Sequence, residues 1–206
     1  MGYPGDYFGD NWGVAGEPTA LAAIQERTTE LGFTMASEPR TGALLQLLAA
    51  SKPGGRFLEL GTGTGVGTAW LLSGMDAMST LISIDTNEDL QEVARASLGS
   101  DTRLKLMSCD AAGFLWRQAK KTFDMVFADA IPGKYEARGE ALATVKVGGY
   151  YVIDDMLPQP NWPEGHAEKA ATLLDDLARD PRFFMLPLPW ATGVAVLVRK
   201  PPQACA

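Results

Sequence analysis

The chain has 206 residues, 46% hydrophobic and 21% charged, with 18 Lys and Arg against 25 Asp and Glu and a formal net charge of -7. A chain of that length and composition can bury a sizeable core and reads as a single domain over residues 1–206, which excludes a disordered chain. The acidic balance disfavours nucleic acid and anionic membranes as partners, and no apolar run approaches the roughly 18 residues of a membrane span. The two cysteines, Cys109 and Cys205, exclude a disulfide framework and a cysteine zinc site, and the expected location is the cytoplasm.

In chain order, residues 1–51 come first, with Tyr3, Tyr7, Phe8 and Trp12 set among glycines and acids. Pro18 opens a helix that Gly32 closes, and Ser37 caps a second helix before Leu44, Leu45, Leu47 and Leu48. This stretch reads either as a loop pinned to the body by its aromatics or as a lid over an acceptor pocket. Residues 52–206 read as the core. Short β-branched or aromatic runs predict strands at 57–60, 80–85, 104–107, 123–128 and 150–154, alternating with helices. Thr86 or Asn87 starts one helix, Asp110 caps another over 111–120, and Pro163 opens a third running to about 178. The last two strands, 183–188 and 194–199, have only a short turn between them, so they must pair antiparallel, because a parallel neighbour needs a long crossover. The predicted fold is α/β and Rossmann-like, a seven-stranded, mostly parallel sheet with a C-terminal antiparallel hairpin and helices on both faces.

The first core strand, Phe57-Leu58-Glu59-Leu60, runs straight into Gly61-Thr62-Gly63-Thr64-Gly65-Val66-Gly67 and then into a helix. Glycines there let the backbone pass close beneath a ligand. A dinucleotide site wants G-x-G-x-x-G, but the sixth residue is Val66 counted from Gly61 and Thr68 counted from Gly63, which opposes an NAD(P)-dependent oxidoreductase, the rival on the same sheet. Asp85, twenty-four residues after Gly61 at the end of the second strand, can present a carboxylate to two ribose hydroxyls.

These residues carry a likeness to the catechol and caffeoyl-CoA type O-methyltransferases, a branch of the class I S-adenosylmethionine-dependent methyltransferases. The likeness runs from about Thr34 to Arg199 and includes Phe33-Thr34-Met35-Ala36-Ser37, Cys109-Asp110-Ala111-Ala112, and the two acidic strand ends at Ala128-Asp129 and Ile153-Asp154-Asp155. It implies that S-adenosylmethionine is the methyl donor and S-adenosylhomocysteine the product. Glu59, Gly61, Gly63 and Gly67 would line the methionine portion, Met35 would help close over it, Asp85 would hold the ribose, and Asp110 and Ala111 would meet the adenine. Asp129 would approach the cofactor's amino group. In the metal-dependent members, acids matching Asp129, Asp154 and Asp155 bind a divalent cation such as Mg2+ that orients the acceptor hydroxyl.

The chain departs from that pattern in places. The usual second strand end is Asp-Asn, while Asp154-Asp155 resembles the sugar-modifying macrocin-type enzymes. The place of the catechol type's basic lysine is Pro132, with Lys134 two residues further on, and no acid stands in Trp190-Ala191-Thr192-Gly193 to grip a second hydroxyl, so a catechol is not supported as the acceptor. Two readings of the acids stay open: a cation site of hard oxygen ligands, or loop caps with Asp129 paired to Lys134. The base is Lys134 or His166, the single histidine, with Asp129 beside them; Trp162, Trp190 and Tyr135 are pocket-wall candidates. The expected reaction is O-methylation of a small-molecule acceptor, with a homodimer the expected assembly from the likeness and a wobble-uridine tRNA methyltransferase the alternative within the branch.

Overall fold

The structure is a computed structural model and describes residues 16–160 and 162–202. Tyr3, Tyr7, Phe8, Trp12 and Cys205 lie outside the described residues. In chain order the elements are α1 (Leu21–Glu30), α2 (Pro39–Ala50), β1 (Arg56–Leu60), α3 (Val66–Gly74), β2 (Thr80–Asp85), α4 (Glu88–Leu98), β3 (Leu104–Ser108) and α5 (Ala111–Trp116). They continue with β4 (Phe123–Ala128), the four-residue turn α6 (Ile131–Lys134), α7 (Arg138–Thr144), β5 (Val145–Ile153), α8 (His166–Ala178), β6 (Phe183–Leu188) and β7 (Val194–Arg199).

The strands form one sheet in the order β3-β2-β1-β4-β5-β7-β6, parallel except where β7 pairs antiparallel with β5 and β6. This is the predicted mostly parallel sheet with its terminal hairpin. Alternate residues of the strands face two apolar layers, as a period of two requires. Leu58, Leu60, Val126, Tyr151 and Ile153 pack with Leu115, Leu142, Leu173 and Leu177 on one face. Phe57, Leu81, Met125, Phe127 and Val152 pack with Ile24, Leu45, Trp70 and Val93 on the other. The chain leaves β1 for β2 and β3 on one side and returns to β4 on the other, so a crevice opens at the carboxyl ends of β1 and β4.

Several boundaries differ from the prediction. β5 starts at Val145 rather than 150, because Phe123 already pairs with Val145 and the register shifts before Met125 pairs with Tyr150. Gly148, at φ +74°, and Gly149 sit at that shift. α5 stops at Trp116, short of 120. Ser37 is not the cap of α2: Glu38 holds that position in an extended conformation without a side-chain bond, and the Ser37 hydroxyl is turned toward the sheet instead. Asn87 and Asp110 do cap α4 and α5 through their side chains.

Candidate functional site

The glycine turn after β1 is held by hydrogen bonds from every side. The Gly61 amide donates to the Ile84 carbonyl at 2.8 Å. Gly61 sits at φ +102°, and a Cβ there would lie 2.7 Å from the Asp129 carbonyl oxygen, so only glycine lets the ends of β1 and β4 come this close. The Gly63 amide, at φ +51°, donates to Asp85 Oδ2 at 2.8 Å, and the Asn87 amide donates to Asp85 Oδ1 at 2.9 Å. Asp85 thus fixes the turn, and each of its oxygens keeps a lone pair for a further donor.

Under the turn lies a buried polar network. Ser83 donates to Glu59 Oε2 at 2.5 Å, Thr68 donates to the same oxygen, and Gln91 reaches Thr62 Oγ1 at 3.0 Å. Burial pushes the Glu59 carboxyl up to about 8 against the lowering effect of those two hydroxyls, with the Asp129 and Asp85 charges adding to the rise. Glu59 Oε1 has no hydrogen-bond partner among the described residues and lies directly against Gly67.

Above the turn runs a cleft of about 630 Å³. One wall is the consecutive stretch Phe33, Thr34, Met35, Ala36, Ser37 and Glu38, with Met35 on the rim at 69% exposure. Asp85 and Asn87 stand at one end, Gly61, Gly63 and Gly67 form the floor, and Asp129, Lys134, Tyr135, Asp155, Trp162 and His166 surround the other end. Glu59, Asp110, Ala111 and Asp154 do not line it. The Asp110 carboxylate is engaged by the amides of Ala112 and Gly113 at 3.1 and 2.8 Å. Asp154 is buried behind Asp155, and its Oδ1 accepts from Thr192 Oγ1 at 2.7 Å, the Asp155 amide at 2.8 Å and Thr41 Oγ1 at 3.4 Å. Burial raises Asp154 to about 7, with the Asp129 and Asp155 charges adding to it.

Lys134 Nζ stands 3.2 Å from Asp129 Oδ1 and 3.5 Å from Asp155 Oδ2, its side chain only 8% exposed. Ser37 Oγ donates to the other Asp129 oxygen at 3.2 Å. Burial disfavours the Lys134 charge, but Asp129, Asp155 and Asp154 outweigh it and hold the amine above its ordinary value. The expected three-acid cation site does not fit this geometry. The ammonium fills the space between Asp129 and Asp155, Asp154 spends an oxygen on hydroxyl and amide donors, and no group of three or more His, Cys, Asp or Glu among the described residues stands ready to hold a metal. A raised pKa also makes Lys134 a poor base near neutral pH.

At the same end, His166 Nε2 and the Tyr135 hydroxyl are 3.3 Å apart, and the Trp162 and His166 rings have centroids 4.5 Å apart. The first turn of α8 thus aims its histidine into the cleft. Trp190 does not line the cleft; its Nε1 donates to the Arg40 carbonyl at 2.8 Å.

Other participants carried no readable signal in the sequence. The Thr28 hydroxyl donates to Thr64 at 2.8 Å, tying α1 to the glycine turn, while Gln159 and Thr192 join the cleft wall. Each is a common polar residue whose role depends on a partner far away in sequence.

A methyltransferase-domain family profile matches residues 58–156. The Mycobacterium tuberculosis protein Rv1220c, named a probable O-methyltransferase, is 37% identical over 148 residues, 68% of this chain and 65% of its own length. The chain therefore spans about two thirds of the length of that relative. A Mycobacterium ulcerans protein, provisionally named an O-methyltransferase, is 31% identical over 198 residues, 91% of this chain and 88% of its own length. Among solved structures, cofactor-bound Rv0187 from MTB superposes with a TM-score of 0.79 at 24% identity, covering 91% of this chain and 92% of its own. TomG of Streptomyces achromogenes, an O-methyltransferase of tomaymycin synthesis solved with SAM, superposes with a TM-score of 0.74 at 23% identity, covering 89% and 90%. At these identities the two structures bear on the fold.

Proposed function

This chain belongs to the O-methyltransferase family, and on that premise we propose that it binds S-adenosylmethionine in the cleft and methylates an oxygen of a small-molecule acceptor. The carrying observation is the continuity of one cleft from Asp85, across the glycine floor, to the ring of Asp129, Lys134, Tyr135, Trp162 and His166. One half suits an elongated nucleoside ligand and the other a compact acceptor. TomG, solved with SAM on the same fold, supports the cofactor assignment.

Bound there, S-adenosylmethionine would supply an electrophilic methyl group on a sulfonium for the acceptor oxygen, and would leave as S-adenosylhomocysteine. The protein's work is mainly to hold donor and acceptor in line and to take the acceptor's proton. Asp85 would offer its remaining lone pairs to ribose hydroxyls, and Gly61 and Gly63 would form the floor beneath the ligand. Asp129, which lines the cleft beside the floor, would hold the cofactor's amino group. Trp162 and Tyr135 wall the acceptor, and His166 Nε2 takes the hydroxyl proton.

Among the described residues no helix is long and apolar enough to cross a membrane. We assign the chain to the cytoplasm, which the Cys109 thiol, outside any disulfide among the described residues, supports.

The test is a thermal-shift titration with S-adenosylhomocysteine, S-adenosylmethionine and NADPH. The first two should stabilise by roughly 2.7 kcal/mol at about 100 times their dissociation constant, and NADPH should not. Asp85→Ala removes an acceptor of charged hydrogen bonds and the anchor of the Gly63 amide, and should weaken S-adenosylhomocysteine by at least the roughly 1.5–3 kcal/mol of such a bond. A shift with NADPH alone, or unchanged affinity in Asp85→Ala, sinks this reading.

A further inference from the structure

The acidic end of the cleft carries its own cation. Asp129 and Asp155 stand on different strand ends, one after β4 and the other two residues after β5, and both turn an oxygen to the same Lys134 nitrogen. The short turn α6 makes this meeting possible. Pro132 and Gly133 leave helical geometry, with Gly133 at φ +91°, and a Cβ at that glycine would lie 2.6 Å from Leu60 Cδ1, so the chain can drop against the sheet there. The Tyr151 hydroxyl then donates to the Gly133 carbonyl at 2.7 Å and fixes the turn. Lys134 is the residue that follows, and it enters the site from below with its side chain almost wholly enclosed. Asp155 completes the arrangement from a left-handed backbone conformation, φ +59°, which is costly for an aspartate and is held by the Asp155 amide bonding back to Asp154.

We propose that the Lys134 ammonium is the built-in substitute for a divalent cation, so that this chain orients and charges its acceptor oxygen without bound metal. Two of the three ammonium protons face Asp129 and Asp155, and the third is left for an oxygen lodged in the cleft, which Lys134 lines. A fixed positive charge aimed at the acceptor oxygen stabilises negative charge as it develops there during proton loss, the task a Lewis acid performs elsewhere. Unlike a divalent ion, it leaves the acids with one neutralising charge rather than two. Lys134 therefore acts as an electrostatic and hydrogen-bonding catalytic residue and keeps its proton throughout, while His166 takes the acceptor's proton. The assignment rests on the methyltransferase reading for the identity of the acceptor atom, but the competition between lysine and metal is a property of the apo chain.

The probe is Mn2+ alone, followed by electron paramagnetic resonance on the full chain, with the S-adenosylhomocysteine thermal shift as a separate readout. The wild type should bind no stoichiometric Mn2+. Lys134→Ala opens the space and uncovers the carboxylates, and should bind one Mn2+ per chain at least about tenfold more tightly than wild type, because close repulsion between two like charges in a partly enclosed site is removed. Lys134→Arg keeps the charge and should stay metal-free. One tightly bound Mn2+ in the wild type overturns the proposal, and that measurement decides the matter by itself if Lys134→Ala does not fold. A folded Lys134→Ala that gains no Mn2+ affinity overturns it as well. Loss of the S-adenosylhomocysteine shift in the wild type, with the Mn2+ results as expected, would count against the methyltransferase reading and leave the lysine–metal exclusion standing.

Discussion

Glu59 shows how a single buried acid can set the pH response of the fold. Its carboxyl is pushed up to about 8 by burial, against 4.5 for a free glutamate. The folded state therefore holds the proton more tightly than the unfolded chain does. The sign follows from linkage: this group's contribution is most favourable below about 4.5, is lost steadily as pH rises from there to about 8, and is flat above, with a limiting slope of about 1.4 kcal/mol per pH unit. Asp154, raised to about 7, adds a loss of the same sign over a narrower window. Glu59→Gln keeps an oxygen for Ser83 and Thr68 but cannot ionise. Urea unfolding at pH 5 and pH 8 should show a large fall in stability for the wild type and a smaller one for the variant, the remainder belonging to Asp154 and to Asp129, whose carboxyl burial also raises. Parallel curves would show that the buried acid is already ionised. The strand sequence made Glu59 visible as an acid beside the glycine turn; its raised pKa comes from complete burial in the packed sheet, which outweighs the Thr68 and Ser83 hydroxyls and which no local pattern announces.

At the level of the elements, the starts of α4 and α5 were legible, because a cap is a local bond between neighbours in sequence, whereas α1 starts at Leu21 and α8 at His166, each three residues after the proline expected to open it. Asn87 and Asp110 sit where their short acceptors predict. Asp110 satisfies two amides of α5, so Asp110→Ala should cost about 1 kcal/mol, or a fall of some 2–4 °C in melting temperature for a chain of this size, while Asp110→Asn should cost little. Calorimetry on the two variants checks this, and equal losses in both would show that the charge matters more than the cap. Ser37 failed as a cap for an instructive reason. Its hydroxyl has a better use 92 positions away on Asp129, where a buried carboxylate needs a donor, and α2 starts from Glu38 without side-chain help. The early start of β5 was hidden for a similar reason, since Val145 joins the ladder through Phe123 across an irregularity at two glycines that reads in sequence as a break.

Across the molecule as a whole, a net charge of -7 and a cleft whose far end holds Asp129 and Asp155, with Asp154 buried behind them, against a single lysine lead us to expect no binding of an anionic polymer. Transfer RNA in a mobility-shift assay at low salt should leave the chain unbound at micromolar concentration; a salt-sensitive complex would reopen the tRNA reading. By itself the sequence determined the sheet and its antiparallel end, through strand periodicity and a connection too short for a crossover. It also determined the glycine turn with Asp85, because twenty-four residues suffice to cross one helix and reach the adjacent strand end. Tertiary structure alone decided how the acids behave. Asp129, Asp154 and Asp155 looked equivalent as strand-end carboxylates, yet Asp129 is enclosed between Lys134 and Ser37, Asp154 is buried on threonine hydroxyls, and Asp155 stands open to the cleft with Lys134 on one oxygen. The physical reason is that a charge's role depends on what lies within about 4 Å of it, and at this site those neighbours are Ser37, Thr41, Lys134 and Thr192, brought from three separate parts of the chain by the packing of the sheet.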